Sequence, residues 1–163
     1  MNSAATAERG SLLERPWISG IDILIPTRGG PFLLMQGVVK DLVETGKAGS
    51  IVNILSMSAQ LRTVFLIPYS ASKEALATLT KDVVNAFRTK RIRCNGVLIG
   101  WVDTPGESVT QQKFHHVGED WLVKAEAVQP MGQPVKPNQV AGLVAYLLSP
   151  DSGVMPGALV DYA

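Results

Sequence analysis

The chain has 163 residues, of which 46% are hydrophobic, and 15 Lys and Arg balance 14 Asp and Glu to a net charge of +1. This composition is typical of one globular domain and excludes an intrinsically disordered chain. The near-zero charge argues against nucleic acid as a partner, since the densest basic run is only Lys90–Arg93.

Cysteine content and hydropathy bound the location that we expect. Cys94 is the only cysteine, so no disulfide can form within the chain and a reducing, cytoplasmic setting is expected. No apolar stretch approaches the roughly 20 residues of a membrane-spanning helix. The first twenty residues lack the apolar core of a secretory signal, so we expect no membrane partner.

The first third of the chain predicts an arm, two strands and a helix between them. Residues 1–19 show no period and predict an irregular N-terminal arm. The apolar run 21–25, stopped by prolines and glycines, predicts a buried strand. Pro31 predicts the start of a helix with an apolar stripe from Phe32 to Val43. The nearly continuous apolar run 50–56 is typical of a strand covered by helices on both faces.

The rest of the chain continues this alternation of helices and strands. In order, the pattern predicts a loop over 57–68, a helix over 69–89 with Ala71, Ala75, Leu76, Leu79, Val83 and Phe87 buried, a strand over 92–98, a lid or binding loop over 100–134, a helix over 137–148 and a strand over 158–161. Strands alternating with helices imply right-handed crossovers, and thus an α/β fold with about four mainly parallel strands. Residues 20–163 form one domain in this interpretation.

One pair of side chains in the second helix has a chemical use. Tyr69 and Lys73 lie one turn apart on the same helix face. A phenol has a pKa of about 10, and a nearby ammonium favours the phenolate and lowers that pKa, so that Tyr69 can transfer protons. Ser56 ends the preceding strand, where open α/β sheets bind ligands, and can hold a substrate oxygen. By itself such a Tyr–Lys pair often arises by chance on a surface helix.

Several ordered motifs around this pair resemble the short-chain dehydrogenase/reductase family. They are Ser56, thirteen residues before Tyr69, the segment 69–73, Arg93–Asn95 and the loop 100–105. The similarity covers about residues 20–161. It implies a partial Rossmann-like, doubly wound α/β fold with a mainly parallel sheet and helices on both faces.

The resemblance also implies a function and a set of site residues. It implies an oxidoreductase that transfers a hydride between NAD or NADP and an alcohol or carbonyl substrate. Ser56, Tyr69 and Lys73 would be catalytic, with Tyr69 as the acid and base and Ser56 orienting the substrate oxygen. The cofactor would be bound by Tyr69, Lys73, Gly100, Val102 and Thr104, and the choice between NAD and NADP stays open.

The sequence departs from the family in its first half. The Gly-rich phosphate-binding loop has no counterpart, and only 55 residues precede Ser56, so we expect a domain shortened at its N-terminus that lacks the nucleotide-binding half. An uncovered sheet edge and the family's interface helices, here 31–45 and 69–89, predict a homo-oligomer. The alternative is an inactive half-fold that acts as an oligomerisation or interaction module.

The remaining candidates have ordinary structural interpretations. His115 and His116 are adjacent and have no partners at ligand spacing, so we predict no metal site. Glu119 and Asp120 are expected to begin a helix in the lid rather than to act as an acid–base pair. Four large residues either line a substrate pocket or pack in the core or lid, namely Trp101, Phe114, Trp121 and Met131.

Overall fold

A computed structural model describes residues 17–61, 65–115, 118 and 120–163. In this part of the chain the elements follow in the order α1 (Trp17–Thr45), β1 (Gly49–Ser56), α2 (Ser58–Leu61), α3 (Ile67–Phe87), β2 (Ile92–Ile99), α4 (Pro105–His115), α5 (Trp121–Val128), α6 (Pro137–Leu148) and β3 (Leu159–Tyr162). Short 3-10 turns cover Arg88–Lys90 and Pro150–Ser152. No helix among these residues is both long and apolar enough to cross a membrane.

The strands form a parallel sheet in the order β1–β2–β3. Ser56 pairs with Ile99, and Ile99 in turn pairs with Tyr162, so the three carboxyl ends lie side by side. The predicted α/β class and parallel sheet are confirmed. The expected count of about four strands is wrong for the described residues, which contain three.

Helices cover the two faces of the sheet, and each covered face has its own apolar core. Alternate residues of β1 point to opposite sides of the sheet. Ile51 and Leu55 pack with residues of α1 and α3, among them Met35 and Leu76. The second core joins the other face to α6 and contains Val52, Ile54, Val97, Val144 and Leu147. This two-sided burial explains why the sequences of β1 and β2 are almost continuously apolar.

The predicted strand over 21–25 is wrong, because these residues belong to the long helix α1. A short apolar run fits either element, and a strand additionally needs a neighbour for its backbone hydrogen bonds, whereas a helix satisfies them internally. Pro31 accordingly lies within α1 and not at its start. Residues 17–19 of the predicted arm are helical as well, and residues 1–16 lie outside the described residues.

The region around the second helix also differs from the prediction. The expected loop over 57–68 contains the short helix α2, and α3 begins at Ile67. Leu76 and Val83 are buried as predicted, but Ala71 is exposed. The buried face of α3 instead includes three polar residues, Ser72, Lys73 and Thr80. The buried face of this helix was predicted incorrectly in part, because the spacing of apolar residues gives no sign of polar side chains that are buried.

Two polar side chains of β2 fix the end of the chain. Asn95 donates through Nδ2 to the Met155 carbonyl at 3.1 Å and accepts from the Ala158 amide at 2.8 Å. Arg93 donates to the carbonyls of Leu147 and Ser149 at 2.9 and 3.0 Å. A cation at the end of α6 suits the helix dipole. These contacts place β3 beside β2, and the helix α6 and strand β3 that the sequence predicted are confirmed.

Gly96 provides a test of how tightly the sheet is packed. A Cβ atom at this position would lie 2.5 Å from Leu55 Cδ1 and 2.8 Å from Leu159 Cδ2. We expect Gly96→Ala to lower the free energy of unfolding by about 1–3 kcal/mol, because the added methyl overfills the core. Gly142→Ala is the control, since open space surrounds this helical glycine, and it should stabilise by about 0.5–1 kcal/mol. Urea denaturation measures both, and equal stability of Gly96→Ala and wild type would contradict this packing.

Candidate active site

A cavity of about 430 Å³ opens where β1 and β2 end. Ser56, the last residue of β1, and Tyr69, in the first turn of α3, both line it. Ligands of open α/β sheets bind at this end of the strands. The cavity therefore lies where the sequence analysis expected the chemistry.

The side chains of Ser56 and Tyr69 interact, and this interaction acts to lower the pKa of the Tyr69 phenol. The Ser58 amide donates to Ser56 Oγ at 3.2 Å, which orients the serine hydroxyl from the other side. Pro68 follows the first residue of α3 and suits a helix start, because proline's fixed φ fits there and its missing N–H costs nothing. The end of β1 and the first turn of α3 thus place the two side chains on the same cavity.

Lys73 lies one turn further along α3 and is only 2% exposed. Its Nζ donates to the Ile54 carbonyl of β1 at 2.8 Å and lies 5.8 Å from the centre of the Tyr69 ring. The helix therefore inserts an ammonium between itself and the strand that carries Ser56. The structure brings all three predicted catalytic residues together.

The electrostatics of this cluster differ from the expectation. Burial lowers the pKa of Lys73 to about 8. The pKa of Tyr69 is raised, because burial disfavours the phenolate more than the hydrogen bond from Ser56 favours it, and the charge of Glu107 raises it further. The predicted lowering of the tyrosine pKa by Lys73 is thus wrong here. At neutral pH Tyr69 is a neutral phenol, a group that can give a proton.

The loop after β2 contains the other predicted contact residues. Val102 forms an isolated parallel bridge with Val135, made by bonds from the Val135 amide to the Trp101 carbonyl (2.8 Å) and from the Asp103 amide to the Val135 carbonyl (2.9 Å). Backbone groups of successive residues in an extended chain point to opposite sides. The amide and carbonyl of Val102 therefore face away from Val135.

Gly100 and Thr104 have structural partners of their own. The Gly100 amide donates to the Tyr162 carbonyl at 3.1 Å, and a Cβ atom on Gly100 would lie 2.7 Å from the Cβ of Ala163. A glycine is therefore needed here for the close approach of the last residue of the sequence. Thr104 Oγ1 accepts from the Glu107 amide at 3.1 Å and so caps α4. Its hydroxyl hydrogen can still donate to another group.

Two functional candidates were missed by the sequence analysis. Glu107 and Gln111, one turn apart on α4, both line the cavity, and Gln111 Nε2 donates to Glu107 Oε1 at 2.7 Å. The spacing from Thr104 to Glu107 matches a helix capping box, and this signal would have placed a helix start and a carboxylate beside the site. Both residues were missed because the sequence analysis predicted a loop over 100–134 and no helix there.

The large residues of the predicted lid have different roles. Trp101 lines the cavity. Trp121 is buried, with its Nε1 donating to Ser108 Oγ at 2.9 Å. Met131 is 78% exposed, so its expected place in a pocket or core is wrong. Phe114 lies 5.0 Å from the Lys113 ammonium.

The polar candidates of the lid gain no chemical role. His116 and Glu119 lie outside the described residues, as does the side chain of His115. Asp120 precedes α5 and pairs with Lys124 at 2.9 Å. The described residues contain no cluster of three or more potential metal ligands.

Comparison with known proteins gives consistent matches. Residues 1–161 match the family model described as enoyl-(acyl carrier protein) reductase. Over 132 residues the chain is 36% identical to (3R)-3-hydroxyacyl-CoA dehydrogenase of Mus musculus, an alignment that covers 81% of this chain and 48% of the relative. It is also 36% identical to estradiol 17-beta-dehydrogenase 8 of Callithrix jacchus, over 79% of this chain and 91% of that sequence.

Solved structures agree with these relatives. A crystal structure of an actinorhodin polyketide ketoreductase with NADPH superimposes with a TM-score of 0.87 at 28% identity, covering 99% of this chain and 65% of that one. The match to the family model also includes the first nineteen residues, which lie before the segment expected from the motifs. The chain spans about half the length of the first curated relatives.

Replacing Lys73 tests the cost of its burial. A pKa lowered from 10.5 to about 8 corresponds to about 3 kcal/mol of destabilisation, and the lost bond to the Ile54 carbonyl offsets about 1 kcal/mol of it. We therefore expect Lys73→Met to be more stable than wild type by about 2 kcal/mol at pH 7. This gain should shrink as the pH rises from 8 to 10.5, where the lysine of the folded protein is already neutral and that of the unfolded chain loses its proton.

Urea denaturation at several pH values measures this difference directly. Lys47→Met, at an exposed position before β1, is the control for the removal of a lysine that is not buried. A Lys73→Met protein that is less stable than wild type by the same amount at every pH would contradict the cost of burial.

Proposed function

Because this chain belongs to the short-chain dehydrogenase/reductase family, we propose that it transfers a hydride between NAD or NADP and an alcohol or carbonyl substrate. The observation that carries the proposal is the cluster of Ser56, Tyr69 and Lys73 around one cavity. The mouse and marmoset relatives are named as dehydrogenases, which supports this reaction class.

The side chains of the cluster divide the proton chemistry between them. Reduction of a carbonyl adds a hydride to its carbon and a proton to its oxygen. Tyr69, held as a neutral phenol by its raised pKa, donates that proton. Ser56, which interacts with Tyr69, can hold the same substrate oxygen and stabilise its developing charge. Lys73, with a pKa of about 8, can hold or release a proton near neutral pH one turn away.

The described residues fit the nicotinamide end of a dinucleotide. The backbone amide and carbonyl of Val102 face away from Val135 and match the acceptor and donor of a carboxamide. Thr104 can add its hydroxyl hydrogen, Lys73 would reach the ribose, and Gly100 begins the same loop. When bound, the cofactor supplies the hydride in reduction or accepts it in oxidation. The 163 residues contain no Gly-rich turn for the pyrophosphate, so the proposal concerns the nicotinamide half.

A second proposal concerns a homo-oligomer through α1 and α3. An apolar groove between these helices is lined by Phe32, Met35, Val39, Leu79 and Phe87, among others. Phe32 is 47% exposed although it lies in the groove. Exposed apolar surface of this kind is typical of a subunit interface. The groove also favours the alternative function, an inactive half-fold that acts by association.

The single cysteine bears on the compartment in which the protein works. Cys94 is a buried free thiol of β2, and burial raises its pKa to about 12. Such a thiol is inert and needs no disulfide partner, which supports a reducing, cytoplasmic compartment as our proposal.

Titration with NADH and NADPH tests the proposed function. Fluorescence of the nicotinamide should show saturable binding by the wild type. Lys73→Ala should weaken it about tenfold or more, because a charge-assisted hydrogen bond to the ribose is lost. Tyr69→Phe should retain binding within severalfold yet abolish turnover in a screen of carbonyl and alcohol substrates.

Lys47→Ala serves as the matched control, since this lysine is exposed and lies outside the cavity. Absence of binding at millimolar cofactor would contradict an enzyme built from this chain alone. It would leave the association module as the better proposal.

The oligomer has its own test in analytical ultracentrifugation. Wild type should sediment as a dimer or larger species. Phe32→Lys should raise the dissociation constant of the oligomer by about tenfold or more, because it places a charge in the apolar contact. Val154→Lys, at a 94% exposed position outside the groove, is the control. A wild-type monomer at high micromolar concentration would refute the interface.

A further inference from the structure

The wall of the cavity formed by α4 carries a carboxylate that the proposed reaction does not use. Of the described residues that line the cavity, Glu107 is the one with a carboxyl side chain. It lies in the first turn of α4, on the same cavity as Ser56 and Tyr69. A substrate held by these two hydroxyl groups would therefore meet this charge.

Local contacts keep the Glu107 side chain in place. Gln111, only 5% exposed, donates from Nε2 to Glu107 Oε1 at 2.7 Å. The glutamate's own amide donates to Thr104 Oγ1 at 3.1 Å and fixes the backbone of this turn. A carboxylate held by a buried amide loses little conformational entropy when a ligand binds. It also has lone pairs left, since each oxygen accepts more than one hydrogen bond.

The charge of Glu107 reaches the reacting end of the cavity. Its electrostatic interaction with Tyr69 contributes to the raised pKa of that phenol, which means that the carboxylate disfavours negative charge at the phenol oxygen. A carboxylate or phosphate on a substrate near the same oxygen would be repelled for the same reason. A hydroxyl or ammonium group would instead find an acceptor.

The remainder of the cavity has a different character. Leu61, Phe65 and Trp101 line it together with Ile99 and Val135. These side chains suit the carbon skeleton of an organic substrate. The lining thus combines the hydroxyl groups of Ser56 and Tyr69 for the reacting oxygen, apolar surface for the skeleton and the side chain of Glu107 for a hydrogen-bond donor.

We propose that Glu107 is a specificity-determining residue, which selects neutral or cationic carbonyl compounds with a hydroxyl or amino group a few bonds from the reacting carbon and excludes keto acids. The proposal rests on the proposed function, because it names the substrate class of that same cavity. Gln111 acts as the positioning residue for the carboxylate.

Binding of three matched ketones tests the selection. Each is a cyclohexanone with one substituent opposite the carbonyl, namely a hydroxymethyl, a methyl or a carboxylate group. Ligand-observed NMR gives the dissociation constants for the full chain in the presence of oxidised NADP, which cannot reduce the ketones. The consumption of NADPH is followed in a separate assay. Wild type should bind the hydroxymethyl ketone about tenfold more tightly than the carboxylate ketone, with the methyl ketone between them.

Glu107→Gln is the decisive variant, because it removes the charge and keeps the size. The variant should bind the carboxylate ketone about tenfold more tightly and the hydroxymethyl ketone severalfold more weakly, while its affinity for the methyl ketone changes little. Glu44→Gln, an exposed carboxylate on α1 away from the cavity, should leave all three unchanged. If Glu107 had a purely structural role, its replacement would change the dissociation constants of all three ketones by the same factor. Equal ratios in wild type and Glu107→Gln would overturn the proposal.

Failure of the proposed function gives a different result. If the ketones bind with the expected ratios and NADPH is not consumed, the selection by Glu107 stands and the reductase activity is refuted. If NADPH is consumed with equal efficiency for all three ketones, the activity stands and the selection is refuted. If none of the three ketones binds at tens of millimolar, the cavity does not take carbonyl compounds and both are refuted.

Discussion

The buried ammonium of Lys73 is the feature on which the arrangement of the site depends. An ammonium with 2% exposure is costly to bury, and here Lys73 Nζ donates a hydrogen bond to the Ile54 carbonyl of β1 at 2.8 Å. This bond ties the first turns of α3 to the last residues of β1 and thereby brings Tyr69 to Ser56. Further along α3, the apolar contacts around Leu76 and Val83 hold the helix against the sheet. Their burial offsets the free-energy cost of burying the ammonium.

Residues of the loop after β2 have structural partners that leave their chemistry intact. Thr104 accepts the capping bond of α4 and keeps a hydrogen to donate. Val135 forms its two backbone hydrogen bonds with Trp101 and Asp103, the neighbours of Val102. The backbone amide and carbonyl of Val102 therefore point the other way. Lys136 then joins the loop to the start of α6 through Asp103 at 3.0 Å, with Glu126 at 3.7 Å. The loop is consequently held in one shape before any ligand binds, which lowers the entropic cost of binding.

The sequence predicted the elements that have a clear period or a motif and failed where polar side chains turn inward. The strands around Val52 and Val97 and the helix from Pro137 were evident because their apolar residues face both sides of a sheet or one face of a helix. The three catalytic candidates were found through their spacing. The segment 21–25 was misassigned because a run with only four apolar residues fits either element, and its helical state depends on tertiary context. Glu107 was missed because the capping-box spacing from Thr104 was taken as part of a lid loop.

The same tertiary context reverses the sign of the expected effect on Tyr69. Spacing alone suggested that a lysine one turn away would promote the phenolate, yet burial acts on both groups and disfavours both charged forms. Glu107 adds to this effect, and Ser56 opposes it with a hydrogen bond. Glu107 thus acts on the site in two ways, through the acidity of Tyr69 and through repulsion of anions. The two are separable, since the acidity of the phenol affects every substrate alike while the repulsion depends on the charge that the substrate itself carries.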